Sequence, residues 1–219
     1  FEVRYAISML PAYANGNIMD ENISKANASS FEMKYKYSLD GKSGKISALA
    51  FYNTAHMGKY TAQNLFVTKD ENNVTISQYS IKASEQYGRS KYGFGINWEQ
   101  YLNNVTGIFA RASWNDGQNE TWCFTEIDQA ASVGVSIKGT SWKRSNDVFG
   151  IAYCVSGISK EHRNYLANGG LGFILGDGSG VLSGVSRLNY SAEHFFETIY
   201  SYTMLDGKII PSLAYQFVV

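Results

Sequence analysis

The chain has 219 residues, of which 15% are aromatic, 21 are glycine and only 2 are proline, a mixture that favours many β-strands. Its 19 lysine and arginine residues balance 19 aspartate and glutamate residues, so there is no basic field to attract nucleic acid. No stretch approaches the roughly 20 apolar residues of a membrane-spanning helix, and the first residues do not form a signal peptide. The remaining way for such a chain to cross a bilayer is a closed β-barrel.

Nine segments are predicted to be strands, and several of them join as hairpins. The clearest runs over 31–39, where Phe31, Met33 and Tyr35 alternate with glutamate and lysine. A turn at 40–44 then leads into the next strand, as in a hairpin. The predicted strands cover residues 1–10, 31–39, 45–53, 91–100, 105–114, 122–138, 148–158, 188–204 and 208–219.

The stretch before the last two predicted strands is the least regular part of the chain. A short helix is expected over 160–167, and the glycine-rich stretch 169–184 is expected to be a long loop. Its glycines superficially resemble a dinucleotide-binding loop, but the spacing, the preceding parallel strand and the following helix are lacking. This stretch therefore predicts no cofactor.

Strand length helps to separate two architectures. Several predicted strands run about 10 residues or more, near the length that crosses a bilayer at a tilt, whereas soluble strands usually run about 5 to 6. Tyrosine, tryptophan and phenylalanine also recur near strand ends, as an aromatic girdle requires. The pattern favours an all-β, antiparallel transmembrane barrel. The alternative is a soluble or surface-exposed β-sandwich that binds glycans through tryptophan and tyrosine.

The residues that often carry catalysis or bind metals are poorly placed for either task. The three histidines lack the spacing of a zinc site, and the two cysteines form neither a CxxC pair nor a dense disulfide pattern. Glu193 and Glu197 share a strand face but lie about 13 Å apart at strand rise, too far for the paired carboxylates of a glycosidase. We therefore expect no enzyme and no bound metal or cofactor.

Charged residues on the inward side of the predicted strands are better explained as a pore lining. On the lipid side of a barrel, each would cost several kcal/mol near the bilayer midplane. They should face a water-filled lumen, where they can pair and influence which solutes pass; the simpler alternative is that they only solvate the interior. The candidate pore-lining residues are Arg4, Glu32, Arg111, Glu126, Glu193 and Glu197.

A series of short segments keeps one order along most of the chain. Among them are Tyr52-Asn53-Thr54-Ala55-His56-Met57-Gly58, Phe124-Thr125-Glu126-Ile127-Asp128 and His162-Arg163-Asn164-Tyr165-Leu166. Others are Trp114-Asn115-Asp116-Gly117 with Glu120-Thr121-Trp122, Gly169-Gly170-Leu171-Gly172-Phe173, and Tyr215-Gln216-Phe217. Through these segments the chain resembles the carbohydrate-selective porin (OprB) family.

The resemblance implies a barrel of about 16 strands when complete, of which this chain supplies about nine as a single domain, 1–219, incomplete at both ends. It also implies a bacterial outer-membrane location, surrounding lipid and passive uptake of small sugars, and it leaves a homotrimer open. A structural barrel without transport is a further alternative. The loop at 179–187 is longer than the family's usual connection there, and the resemblance does not explain it.

Overall fold

The protein is built around one large antiparallel sheet. The computed structural model describes residues 1–62, 64–69, 75–123, 126–168, 170 and 190–219. Its elements are β1 (Glu2–Met9), β2 (Asn27–Leu39), β3 (Lys42–Met57), β4 (Asn64–Lys69), β5 (Thr75–Ser80), β6 (Gln86–Tyr101), β7 (Thr106–Asn115), β8 (Gln129–Gly139), β9 (Arg144–Gly157), α1 (Lys160–Ala167), β10 (Glu193–Ser201) and β11 (Ser212–Val218). All strands except β4 and β5 join the sheet in chain order, with β1 and β11 at its edges. The pair β4–β5 is a separate hairpin between β3 and β6.

The two faces of the sheet differ in character. Because side chains alternate along a strand, the register brings every second residue of neighbouring strands to the same face. One cross-strand row runs from Arg4 on β1 through Glu32, Gly95 and Ser113 to Glu193 on β10. We call the face that carries this row the polar face. Its other members include Glu2, Lys34, Lys36, Lys45, Ser47, Asn97, Glu99, Arg111, Ser132, Ser136, Glu197 and Gln216.

The opposite, apolar face carries large hydrophobic side chains that are exposed in this chain. Tyr5 on β1 is 66% exposed and Leu213 on β11 is 78% exposed, and Phe94, Ile96 and Val133 on the central strands are also exposed. Leaving apolar surface in water costs about 25 cal/mol per Å², so a face of this extent suits lipid better than water. In a β-sandwich these side chains would fill a core between two sheets. Their exposure excludes the predicted sandwich alternative.

The two ends of the sheet are joined differently. At one end, the turn end, β2 and β3 are linked by Asp40 and Gly41 alone, both with positive φ (48° and 73°), as a tight type I′ hairpin requires. At the other end, the loop end, the connections are long and cover residues 10–26, 58–85, 116–128 and 158–192. Short turns at one end and long loops at the other are typical of outer-membrane barrels.

The buried core lies at the loop end, where the long connections pack together. One cluster joins Leu10 and Trp122 from two connections to Ala55 and Met57 at the end of β3. Ala55 continues the polar-face parity of Asn53 on β3, so these connections fold over the polar face. The second cluster consists of Tyr60, Ile81, Ile158, Tyr165 and Leu166.

The fold confirms most of the predicted elements. Nine strands are predicted and nine form the main sheet, and the predicted helix at 160–167 is α1 (Lys160–Ala167). Within the described ranges, none of the helical segments combines the length and apolar character that a span of the membrane demands.

Three sequence predictions differ from the structure. The predicted strand 122–138 is wrong in its first part, because β8 begins at Gln129 and Trp122 is buried in the loop-end core. The predicted strand 188–204 is shorter, since β10 is Glu193–Ser201. The hairpin β4–β5 is not predicted from the sequence. Residues 188–189, the predicted loop at 169–184 apart from residue 170, and the stretch 179–187 lie outside the described residues.

Candidate functional site

Five of the six predicted pore-lining residues lie on the polar face of the sheet. They are Arg4 on β1, Glu32 on β2, Arg111 on β7, and Glu193 and Glu197 on β10. Glu126 differs, since it lies in the connection before β8 rather than on a strand. Its predicted placement on a strand of the wall is therefore wrong, because that strand starts three residues later, at Gln129.

Arg4 and Glu32 belong to a paired cluster at the β1 edge. The register places Arg4 opposite Glu32 and Glu2 opposite Lys34. Arg4 contacts the Glu2 carboxylate and lies 3.6 Å from Glu32, and the Lys34 ammonium lies 3.8 Å from Glu2 and 3.7 Å from Glu32. Opposite charges facing each other across two strands stabilise the pairing. Every charge in this cluster has a partner of opposite sign.

Arg111 ends a chain of polar contacts that crosses three strands. The Lys45 ammonium lies 2.8 Å from Glu99, and the Asn97 amide donates a hydrogen bond of 3.0 Å to the same carboxylate. Arg111 Nε in turn donates to the Asn97 side-chain oxygen at 2.9 Å. Its guanidinium also lies over the Phe109 ring, 4.9 Å from the centroid. These contacts hold the guanidinium in one orientation on an exposed wall.

The two β10 glutamates are separated from these clusters by an uncharged strip. Glu197 accepts a hydrogen bond from Gln216, and Glu193 is opposite Ser156. Between β7 and β10 the polar face carries small uncharged side chains except at the turn end, where Lys138 and Val148 lie, so the structure does not bring the five wall residues together at one point. The strip consists of Ala130, Ser132, Gly134, Ser136, Gly150, Ala152, Cys154 and Ser156.

A second polar feature, the loop-end anchor, joins Lys91, Asp128, Ser159 and His162. Asp128 is 2% exposed and lies between the Lys91 ammonium, 3.3 Å from Oδ1, and His162 Nδ1, 3.1 Å from Oδ2. The Ser159 backbone N–H donates to Asp128 Oδ2 at 2.8 Å. Burial raises the pKa of Asp128, but the His162 hydrogen bond, the Lys91 charge and the Ser159 N–H lower it further, to about 2.

The anchor holds three parts of the chain together. Lys91 lies on β6, Asp128 directly precedes β8, and Ser159 is the N-cap of α1. The ring of His162 stacks on Tyr60 with a centroid distance of 4.3 Å, and its Nε2 lies 3.8 Å from the carboxylate of Glu126. Glu126, predicted as a wall residue, therefore belongs beside this anchor.

Reasoning from residue types misses the anchor, because its members are far apart in the sequence and have no metal-site spacing. The useful signal lies in the segments that carry the family resemblance. Two of them, 124–128 and 162–166, contain Asp128 and His162. The structure brings these two segments into direct contact.

Glu120, in the same connection as Asp128, is a half-buried carboxyl group with a shifted pKa. Burial, together with the nearby carboxylates of Glu85 and Glu126, raises the pKa of Glu120 to about 7, against the hydrogen bond that Gly58 N–H donates at 3.0 Å. The folded protein keeps this proton up to about pH 7, whereas the ordinary value is 4.5. Between these two pH values, the folded state binds more protons than the unfolded chain.

This shift predicts that the protein loses stability as the pH rises. Protonated Glu120 contributes fully to stability below pH 4.5, the pKa of this group in the unfolded chain. The contribution is lost as the pH rises through the pKa of the folded state, about 7. The free energy of unfolding should therefore fall by about 2–3 kcal/mol by about pH 8. Urea titrations of the folded protein in phospholipid vesicles, run at several pH values, measure this change. Glu120→Gln should show a flatter pH dependence; equal slopes for the two proteins would contradict the assignment.

Comparisons with known proteins agree with the architecture. The sequence matches the carbohydrate-selective porin, OprB family over residues 11–217. Among solved structures, the high-pH structure of Pseudomonas putida OprB superposes with a TM-score of 0.58 at 16% sequence identity, covering 88% of this chain and 44% of that one. The chain thus spans less than half the length of that structure. A search of curated proteins finds no match.

Long antiparallel strands, a polar face and an exposed apolar face define the wall of an outer-membrane barrel of the porin class. The match over residues 11–217 is more specific, and the chain belongs to the carbohydrate-selective porin, OprB family. This is a family of channels in the bacterial outer membrane. The protein is accordingly an outer-membrane protein and not an enzyme.

Proposed function

We propose that the full-length protein is a porin through which small carbohydrates diffuse passively, and that the polar face lines part of its water-filled lumen. The observation that carries this proposal is a polar face that crosses the sheet from β1 to β11, backed by an exposed apolar face on the same strands. A lysine or arginine on the lipid side costs about 2–4 kcal/mol at the bilayer midplane. Lys34, Lys45 and Arg111 avoid that cost only by facing water.

The polar face offers a passing sugar an unreactive wall of hydrogen-bonding groups. A sugar hydroxyl that leaves bulk water finds replacement partners in Ser47, Asn97 and Ser132 on three different strands. Each contact is weak and remains open to water, so a solute binds briefly and moves on. Transport down a concentration gradient then needs no covalent step and no cofactor.

The predicted site residues take two positions in this proposal. Arg4, Glu32, Arg111, Glu193 and Glu197 line the wall between the two ends of the barrel. Glu126, whose side chain is 11% exposed, lies beside the anchor at the loop end instead. Asp128 ties the start of α1 to β6 through Ser159, His162 and Lys91.

We further propose that this chain is part of a single barrel domain of about 16 strands. Strands β1 and β11 each have an unpaired edge within the described sheet, and an unpaired edge is not tolerated in lipid. Further strands would satisfy both edges. Outer-membrane lipid would then cover the apolar face, and association of three barrels into a homotrimer is compatible with this arrangement.

The experiment is single-channel recording of the full-length protein in a planar lipid bilayer while neutral sugars are titrated in. We expect stable current steps that glucose or maltose reduces in a concentration-dependent manner. Correctly folded protein that gives no current would contradict the proposal and favour a structural barrel. Current that no sugar affects would restrict the proposal to a general pore.

The native thiol of Cys154 tests in the same recordings whether the polar face lines the lumen. Cys154 lies on β9 between Ser132 and Phe195 of the neighbouring strands. In a Cys123→Ser background, which removes the other cysteine, a charged methanethiosulfonate reagent should lower the conductance irreversibly. A variant with both cysteines replaced by serine should not respond. If labelled Cys154 leaves the conductance unchanged, the polar face does not line the conducting path.

A further inference from the structure

Three cations of the polar face, from the middle of β7 to the turn end, have no carboxylate partner in the described part of the chain. Within the described ranges, no carboxylate lies within ion-pair distance of Lys36, Arg111 or Lys138, whereas Lys34 and Lys45 on the same face are paired. Lys36 and Arg111 are exposed, and Lys138 lies over the Tyr101 ring, 5.7 Å from its centroid. This end of the wall therefore has an excess of positive charge that the neighbouring side chains do not neutralise.

Lys36 and Arg111 line the same hollow on this face, between β2 and β8. Its volume is about 450 Å³, within the range of small-molecule sites. Its ionisable side chains, tyrosine apart, are three cations and one carboxylate, and that carboxylate, Glu99, is already bound by Lys45 and Asn97. Ser43 and Ser136 also line it and supply hydroxyl groups.

Arg111 is oriented for an oxyanion before any solute arrives. Its Nε is used by Asn97 at 2.9 Å and its plane rests on Phe109. Both terminal Nη groups are without a hydrogen-bond partner among the described residues. Two parallel N–H groups of an arginine fit the two oxygens of a carboxylate, which makes the pair short and strong. A neutral sugar offers no group of that shape and charge.

We propose that this hollow binds the carboxylate of a monosaccharide acid of the hexuronate type, with Arg111 gripping the carboxylate and Lys36 adding charge. The serine side chains of the hollow would form hydrogen bonds with the sugar hydroxyls. The inference rests on the proposed porin function and narrows its substrate class. The pore then favours acidic over neutral sugars of the same size.

The test compares galacturonate with galactose, which differ only in the oxidation of the last carbon. In planar bilayers with the full-length protein, galacturonate should reduce the single-channel current at a concentration roughly tenfold lower than galactose does, as one additional charged hydrogen-bond pair predicts. Arg111→Gln and Lys36→Gln should each lose most of this preference. Lys34→Gln is the matched control, because it makes the same charge change on the same face at a paired lysine.

The possible results distinguish failure of the sugar-acid inference from failure of the porin proposal. Equal block by the two sugars, or a preference that survives Arg111→Gln, overturns the inference while the porin proposal stands. Block by acetate as strong as that by galacturonate also overturns it, because the hollow would then be a general anion site. Calorimetric titration of galacturonate into the detergent-solubilised protein measures binding directly and does not require the protein to conduct. Binding that Arg111→Gln abolishes would support the inference even if the protein did not conduct, and absence of binding would overturn it.

Discussion

Replacing Asp128 by alanine is expected to lower the free energy of unfolding by about 3–5 kcal/mol, because it leaves a buried charge without its partner. The Lys91 side chain is 8% exposed and depends on Asp128 for its ion pair, with only two weaker contacts, to Asn119 and Thr121. The same change removes the acceptor for His162 and for the backbone of Ser159. Urea titration of the protein in phospholipid vesicles, followed by tryptophan fluorescence, measures the loss.

Two further variants distinguish the effect of leaving Lys91 charged and unpaired from the effect of losing an aspartate side chain. Asp116→Ala is the matched control, because Asp116 lies in the same connection but has no ion pair among the described residues and accepts from backbone N–H groups, such as that of Tyr92 at 3.2 Å, for which a loss of about 1 kcal/mol is expected. Combining Asp128→Ala with Lys91→Met removes both charges. The double variant should lose less stability than the sum of the two single variants. Additive losses would mean that the ion pair does not couple the two residues.

The strands were the most predictable part of the fold, for a physical reason. Over 31–39, 92–99 and 130–138, on β2, β6 and β8, each face of the sheet has one kind of surroundings, so apolar residues alternate with polar or small ones. The same alternation correctly assigned Arg111 and Glu193 to a common face. The strands and the shared face can both be predicted from the spacing of residues within each strand alone.

The loop end could not be predicted in this way. The sequence predicts a strand that begins at residue 122, but Trp122 is buried among Leu10 and Met57 in the core that the connections form. An aromatic residue buried by loops and one that faces lipid look alike in a sequence, because both avoid water. Lys91, Asp128 and His162 meet only after the connections fold, so no local spacing predicts the anchor.

The anchor and the wall perform separate tasks in the proposed pore. Paired charges on β1 and β2 give the wall polarity without a net local charge, whereas the exposed guanidinium of Arg111 is available to a solute. Asp128 is buried and bound within the protein, with two donors on Oδ2 and the Lys91 charge 3.3 Å from Oδ1. Substitutions in the anchor should therefore change stability, and substitutions of Arg111 should change selectivity.

Trp122→Ala is expected to destabilise the protein by about 3–5 kcal/mol, the usual cost of truncating a large buried aromatic residue. Trp122 is 4% exposed and packs against Leu10 and Met57. Its Nε1 also donates a hydrogen bond of 2.7 Å to the carbonyl oxygen of Pro11, and its own carbonyl accepts from the Asn15 N–H at 2.9 Å. The alanine variant thus leaves a cavity between two connections, and the Pro11 carbonyl oxygen loses its donor.

Besides lowering the free energy of unfolding, Trp122→Ala should loosen one particular connection. A tryptophan on the apolar face should not have this second effect. Hydrogen exchange should speed up most in residues 10–26, because Trp122 is the side chain that joins this connection to β3. Trp122→Phe keeps most of the ring contacts and should cost about 1–2 kcal/mol through the unpaired Pro11 carbonyl. Trp114→Ala is the control, since Trp114 lies on the apolar face and is 39% exposed. If the two alanine variants were equally destabilised and exchange in 10–26 stayed slow, the loop-end core would not hold the connections in place.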